Sequence, residues 1–254
     1  MTVSIWGRNS IYLAKKYICA TIYYMKITDA HSHIDYITHK IQPGVVGTVV
    51  CTTDESQWST LIDVIDNDDC VYGAFGVHPW FGDSWNDETG VRLESVLKTN
   101  RDFFVGEIGL DKYKPNMERQ IEIFQKQFDM AIRLRRGVCV HCVGAWDKIL
   151  HILKQYKKST LPNIVFHAFN GSADVLEFLL KNYDNNIYFS FDKNVVYDRN
   201  CRIQQIPIDK ILVESDGKSD AILIDIVNKI VDIKNDKNAP DIIYNNTKRF
   251  LKNG

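Results

Sequence analysis

Histidines and carboxylates stand at the downstream ends of five short apolar runs spread along the chain. His31 and His33 close Thr28-Asp29-Ala30-His31-Ser32-His33, and Glu107 lies in Gly106-Glu107-Ile108-Gly109-Leu110-Asp111. His141 follows Cys139-Val140, His167 follows Val165-Phe166, and Asp216 closes Val213-Glu214-Ser215-Asp216. Imidazoles and carboxylates together form ligand sets for divalent ions. His31 and His33 are one residue apart, so on an extended segment they project from the same side and can reach one ion. Glu107 can offer an oxygen to each of two ions, which an imidazole cannot. Asp216 can join the His31/His33 ion or take a proton from a water activated there. Taken singly, each residue has a plainer reading: Glu107 ion-paired to Lys112, or His141 and His167 as hydrogen-bonded core histidines. Their recurrence at equivalent places favours metal. His39 and His151, on a loop and a helix, are expected in solvent.

Short apolar, β-branched runs predict the strands that carry these residues. They cover 26–30, 45–51, 71–75, 102–107, 138–142, 163–167, 187–190 and 210–214. Helices are predicted between them, most clearly over 117–135, where Ile121, Phe124, Phe128, Ala131 and Ile132 recur at helical spacing. Strands apolar throughout are those of a parallel sheet buried on both faces. About eight strand–helix alternations predict a (β/α)8 barrel, whose active residues gather at the carboxyl ends of the strands. An open doubly wound sheet is disfavoured because no Gly-rich nucleotide loop follows any strand.

The 254 residues suit one such barrel, and no linker or low-complexity run divides them. A net charge of −1 gives no bulk attraction to nucleic acid, so a phosphodiester substrate would have to be gripped locally, chiefly by metals. Six scattered cysteines predict free thiols in a reducing compartment. Cys139 and Cys142, three apart on a strand, should point to opposite faces and not meet. Residues 1–25 carry Arg8, Lys15 and Lys16, no acidic residue, and an apolar patch shorter than the roughly 20 residues that span a bilayer. We read them as an N-terminal extension, or as residues before an alternative start at Met25, ahead of a barrel domain at 26–254. Organelle targeting by residues 1–25 is the alternative to a cytoplasmic or nuclear location. Nothing in the sequence indicates a membrane or an obligate protein partner.

From about Met25 onward the motifs resemble the TatD family of metal-dependent deoxyribonucleases. The resemblance rests on Asp29-Ala30-His31-Ser32-His33, Gly76-Val77-His78-Pro79 and Gly106-Glu107-Ile108-Gly109-Leu110-Asp111. It extends through Gln120, Phe124 and Gln125, His141, His167-Ala168-Phe169-Asn170-Gly171-Ser172, and Asn246-Thr247-Lys248-Arg249-Phe250. It implies a TIM barrel with a two-metal site: His31, His33 and Asp216 on one ion, His141 and His167 on the other, Glu107 between them. The implied ions are Mg²⁺ or Mn²⁺, with Zn²⁺ or Fe²⁺ also suited to the imidazoles. The implied reaction is 3′ exonucleolytic cleavage of DNA by a metal-activated water, with His78 contacting phosphate or protonating the leaving group. Two departures touch the rim. Cys142-Val143-Gly144 stands where the family carries an arginine, and Gly217-Lys218 replaces a proline-containing run. These leave two other readings: a hydrolase of another ester or amide, such as an aminoacyl-tRNA deacylase, or a metal-binding scaffold without turnover. Amidohydrolase relatives commonly bridge their metals with a modified lysine on the fourth strand, where this chain has Glu107.

Overall fold

A computed structural model describes residues 25–196, 202–218 and 222–252. The expectation for residues 1–25 therefore lies, Met25 apart, outside the described residues. Eight strands form one parallel sheet in chain order: β1 (Ile27–His33), β2 (Val45–Cys51), β3 (Val71–Phe75), β4 (Phe104–Asp111), β5 (Val138–Val143), β6 (Ile164–Phe166), β7 (Ile187–Phe191) and β8 (Ile211–Val213). Beyond β8 the chain returns to β1, where Asp216 N–H donates to His31 O at 3.0 Å and Ser215 N–H donates to Asp29 Oδ1 at 2.9 Å. The result is a nearly closed barrel in a single domain.

Helices α1 (Trp58–Asp66), α2 (Asp87–Thr99), α3 (Met117–Leu134), α4 (Trp146–Leu153), α5 (Ala173–Tyr183), α6 (Lys193–Val196), α7 (Leu223–Lys234) and α8 (Ala239–Lys252) lie between or after the strands. Their starts follow local chemistry. Asn86 and Thr89 form a capping box at α2, and the Ser172 hydroxyl accepts the Val175 N–H at α5.

Strand alternation divides the apolar residues into two cores. Val50, Val138 and Val140 face outward into the main core beneath the helices, while Val49, Cys51 and Cys139 face the barrel interior. Cys139 and Cys142 accordingly fall in different cores, as their spacing predicts. The four described cysteines, Cys51, Cys70, Cys139 and Cys142, are free thiols. Phe250 of α8 plugs the amino-terminal end of the barrel, stacking on Phe104 at 5.2 Å and meeting Tyr188 at 5.8 Å. Among the described residues no helix is long and apolar enough to cross a membrane.

Three local differences from the sequence reading matter. β1 runs through His31 and His33 rather than stopping at Ala30, and β4 runs on to Asp111, so Glu107 lies within its strand. His39 is not free in solvent: its Nδ1 is 3.1 Å from Thr48 Oγ1 and its Nε2 3.0 Å from Asp68 Oδ2. A loop histidine carries no periodicity, so only the fold brings it to those partners. His151 is exposed on α4, as expected. Since His39 braces the connection between β1 and β2, His39→Ala should lower the unfolding free energy by about 1–2 kcal/mol while leaving turnover unchanged. Denaturant titration beside an activity assay checks both; unaltered stability would show that the brace contributes nothing.

Candidate metal centre

The carboxyl ends of the strands surround a cavity of about 590 Å³ whose lining includes His33, His78, Glu107, His141, His167 and Asp216. His31 is fully buried directly beneath. Glu107 sits at the middle, 2% exposed. Its two oxygens face different partners. Oε2 lies 3.3 Å from His31 Nε2 and 3.7 Å from His33 Nε2. Oε1 lies 2.8 Å from His167 Nε2, 3.0 Å from His141 Nδ1 and 3.3 Å from His78 Nε2. Asp216 Oδ1 completes the first side, 3.6 Å from His33 Nε2 and 3.8 Å from His31 Nε2. Every residue singled out in the sequence is thus brought to one place. Among the described residues no lysine pairs with Glu107; the Lys112 side chain instead lies against Gly144 and toward Tyr113.

Why the chain folds this way locally is visible in the backbone. Gly109 allows β4 to pass β5 at His141, because a Cβ there would lie 1.9 Å from the His141 carbonyl oxygen. Gln120 of α3 accepts the Asp111 N–H at 2.8 Å and donates to the Asp111 carbonyl at 3.1 Å, pinning the end of β4. Gln127 does the same for Val77 at 2.8 and 3.0 Å, and so sets the loop bearing His78. Asp216 adopts φ +54°, a conformation rare for a residue with a side chain.

The outer nitrogens of the imidazoles are also committed. His31 Nδ1 lies 3.3 Å from Cys51 Sγ, and His33 Nδ1 lies 3.3 Å from the Cys51 carbonyl oxygen. One residue thus orients both members of the His-x-His pair and leaves each Nε2 lone pair turned toward Glu107. His141 Nε2 faces Asp111 Oδ2 at 3.6 Å, and His167 Nδ1 faces Glu214 Oε1 at 3.5 Å, so a carboxylate stands behind each. His78 differs. Its Nδ1 accepts the Trp80 N–H at 3.2 Å, so its neutral ring carries the proton on Nε2. Cys51, Glu214 and Gln127 went without a role in the sequence reading. Asp111 and Glu214 lay within the quoted motifs, but nothing in those motifs distinguishes a ligand from its supporting carboxylate.

Burial alone would push the Glu107 carboxyl up, yet the imidazoles of His167, His78 and His31 hold it well below the usual carboxylate range. Burial opposes a proton on His167, but the Glu107 carboxylate prevails and raises it to about 10. His31 is raised well above its ordinary value in the same way, whereas burial prevails at His78 and lowers it. For Asp216, burial is outweighed by His33, His167, His31 and Lys218, whose ammonium lies 2.5 Å from Oδ2 and 2.6 Å from Asp192 Oδ2. Lys218, standing in the departure from the family run, therefore folds back onto Asp216.

These residues fit a divalent cation. His31 Nε2 is buried without a hydrogen-bond partner although Glu107 is 3.3 Å away, and three sets of donors converge: His31/His33/Asp216, His31/Glu107/His167 and His78/Glu107/His141. Ligand imidazoles must be deprotonated, so the protons that Glu107 draws onto His31 and His167 compete with a cation. Since a raised imidazole pKa is a proton held until pH climbs through it, metal affinity should strengthen as pH rises toward about 10. Uptake by the metal-free protein should release protons, measurable by calorimetry in buffers of different ionisation heat. Affinity independent of pH would contradict this electrostatic account.

A family model described as TatD related DNase matches residues 28–252. The human 3′-5′ RNA nuclease TATDN2 is 28% identical over 216 residues, covering 74% of this chain and 28% of its own. The 3′-5′ ssDNA/RNA exonuclease TatD of Erwinia billingiae is 31% identical over 139 residues, covering 53% of this chain and 52% of its own. This chain thus spans about half, or less, of the length of these two relatives. Among solved structures, the TatD homologue YjjV of Escherichia coli superposes with a TM-score of 0.78 at 20% identity, covering 89% of this chain and 98% of that one. With the family model matched along nearly the whole barrel, the chain belongs to the TatD-related DNase family.

Proposed function

We propose that this chain is a metal-dependent hydrolase, a phosphodiesterase that removes nucleotides from the 3′ end of DNA using two divalent ions held on either side of Glu107. The observation that carries the reading is the division of the Glu107 carboxylate, Oε2 toward His31 and His33 and Oε1 toward His141 and His167. In this reading His31, His33 and Asp216 hold one ion, His141 and His167 hold the other, and Glu107 serves both. Ions so held supply Lewis acidity, lowering the pKa of a water and offsetting charge that builds on the phosphoryl oxygens. Mg²⁺ or Mn²⁺ are the expected working ions, with Zn²⁺ or Fe²⁺ accommodated by the imidazoles.

Two residues take distinct roles. His78, neutral and protonated on Nε2, donates a hydrogen bond to a phosphate or leaving-group oxygen rather than ligating at that nitrogen. Asp216, with Lys218 on its outer oxygen and its carboxyl held low, is a poor base and suits the ligand role. The names of the two relatives, an RNA nuclease and an ssDNA/RNA exonuclease, support nucleic acid as the substrate class. A carboxylate rather than a lysine at 107 supports phosphodiester over amide chemistry.

Metal-stripped protein is incubated with end-labelled single- and double-stranded DNA while Mg²⁺, Mn²⁺ or Zn²⁺ is added in turn. Metal-dependent shortening is expected, and Glu107→Gln should lower its rate by about a thousandfold or more while the protein stays folded. Wild-type rates in Glu107→Gln would overturn the assignment. No cleavage by protein that demonstrably binds metal would transfer it to the ester and amide hydrolases.

A further inference from the structure

Three of the large apolar side chains left exposed among the described residues are aromatic: Trp80 (53% exposed) and Phe81 (43%) at the cavity rim, and Tyr113 (75%), whose backbone N–H donates at 2.9 Å to Asp111, the carboxylate that also holds Trp80. Trp80 and Phe81 come from the loop after β3 and Tyr113 from the loop after β4, and the first two line the cavity with His78, Glu107 and His141. The Trp80 indole is exposed yet held. Its Nε1 donates to Asp111 Oδ2 at 2.6 Å, on the buried carboxylate that also faces His141. Its ring meets His78 edge-on at 5.2 Å and His141 at 6.3 Å. A large aromatic ring fixed in place by a buried hydrogen bond and half open to solvent loses little freedom when a flat ligand lands on it.

Cations accompany these rings. Lys114 Nζ lies 4.1 Å from the Trp80 ring centre, and Lys112 Nζ lies 5.4 Å from that of Tyr113. Aromatic faces interleaved with ammonium groups are how single-stranded nucleic acid is held without reading its sequence: bases stack and phosphates pair. The chain as a whole is nearly neutral, so this local patch must supply what bulk charge does not. Resting on the nuclease reading, we infer that Trp80, flanked by Phe81 and Tyr113, is the stacking platform for the nucleobase beside the scissile phosphate. Lys112 and Lys114 neutralise the adjoining backbone. The platform accounts for substrate grip in a chain that lacks the family's arginine after β5, and it selects unpaired ends, because a base inside a duplex has no free face to offer.

The test compares wild type, Trp80→Ala and Trp80→Phe on a short single-stranded deoxyoligonucleotide and on the same strand ending in an abasic 3′ residue. Trp80→Ala should raise KM by about 10- to 100-fold on the normal strand with kcat nearly unchanged, and Trp80→Phe should recover most of the loss. On the abasic strand Trp80→Ala and Trp80→Phe should not differ, since both lose the hydrogen bond to Asp111 and the strand end offers no base to stack. Equal losses on both strands, or no change in KM, would overturn the platform. A parallel arm needs no turnover: both labelled strands are titrated by fluorescence anisotropy onto metal-loaded wild type and Trp80→Ala at low temperature. A base-dependent drop in affinity for Trp80→Ala sustains the platform even if no strand is ever cut, in which case the nuclease reading alone fails. Binding indifferent to both the base and Trp80 refutes the platform whether or not cleavage occurs.

Discussion

A carboxylate buried within a protein is tolerated only where positive charge surrounds it, because an uncompensated buried charge is disfavoured by several kcal/mol. Glu107 is such a group, and five imidazoles from four different segments converge on its two oxygens. Without a cation, protons on His31 and His167 provide the compensation; with one, the cation replaces them. The centre is therefore a cage whose stability and metal affinity are set by the same carboxylate. This dependence extends outward, since each imidazole faces Glu107 while Cys51, Asp111, Glu214 or the Trp80 N–H engages its far side.

The barrel makes that convergence rigid. Strand alternation aims His31 and Glu107 inward, and β8 is tied to β1 through Asp29, which accepts from Ser215 N–H and from the Thr38 hydroxyl at 2.9 Å each. Burial raises the Asp29 carboxyl to about 6, so its three protein donors replace water at a position no solvent reaches. At the opposite end Phe250 fills the interior between Phe104 and Tyr188. The fold thus separates its tasks, with apolar packing at one mouth and polar chemistry at the other.

The strands and the candidate site residues both leave local marks in the sequence: β-branched runs for buried parallel strands, and histidines or carboxylates at their ends. The bounds of β3 follow directly from such a run. What was not legible depends on contacts across the chain. Cys51 reads as one more small apolar strand residue, yet its sulfur and carbonyl orient His31 and His33. Gln127 is one glutamine among several on α3, and only the fold sets it on Val77. His39 seemed solvated because the Asp68 that binds it is 29 residues away. Lys218 stands where the resemblance places a proline, and nothing local foretells that its ammonium lands between Asp192 and Asp216.

The mouth above Glu107 joins a polar floor, which holds charge, to an aromatic rim bearing Trp80 and Phe81, which can hold a base. Asp111 links the two, since it receives the Trp80 indole and faces His141. The claim on which all else rests is that one carboxylate serves two ions. Anomalous diffraction from crystals loaded with Mn²⁺ tests it most directly. Two peaks, one beside each oxygen of Glu107, are predicted; a single peak, or peaks that Glu107 does not touch, would contradict the account.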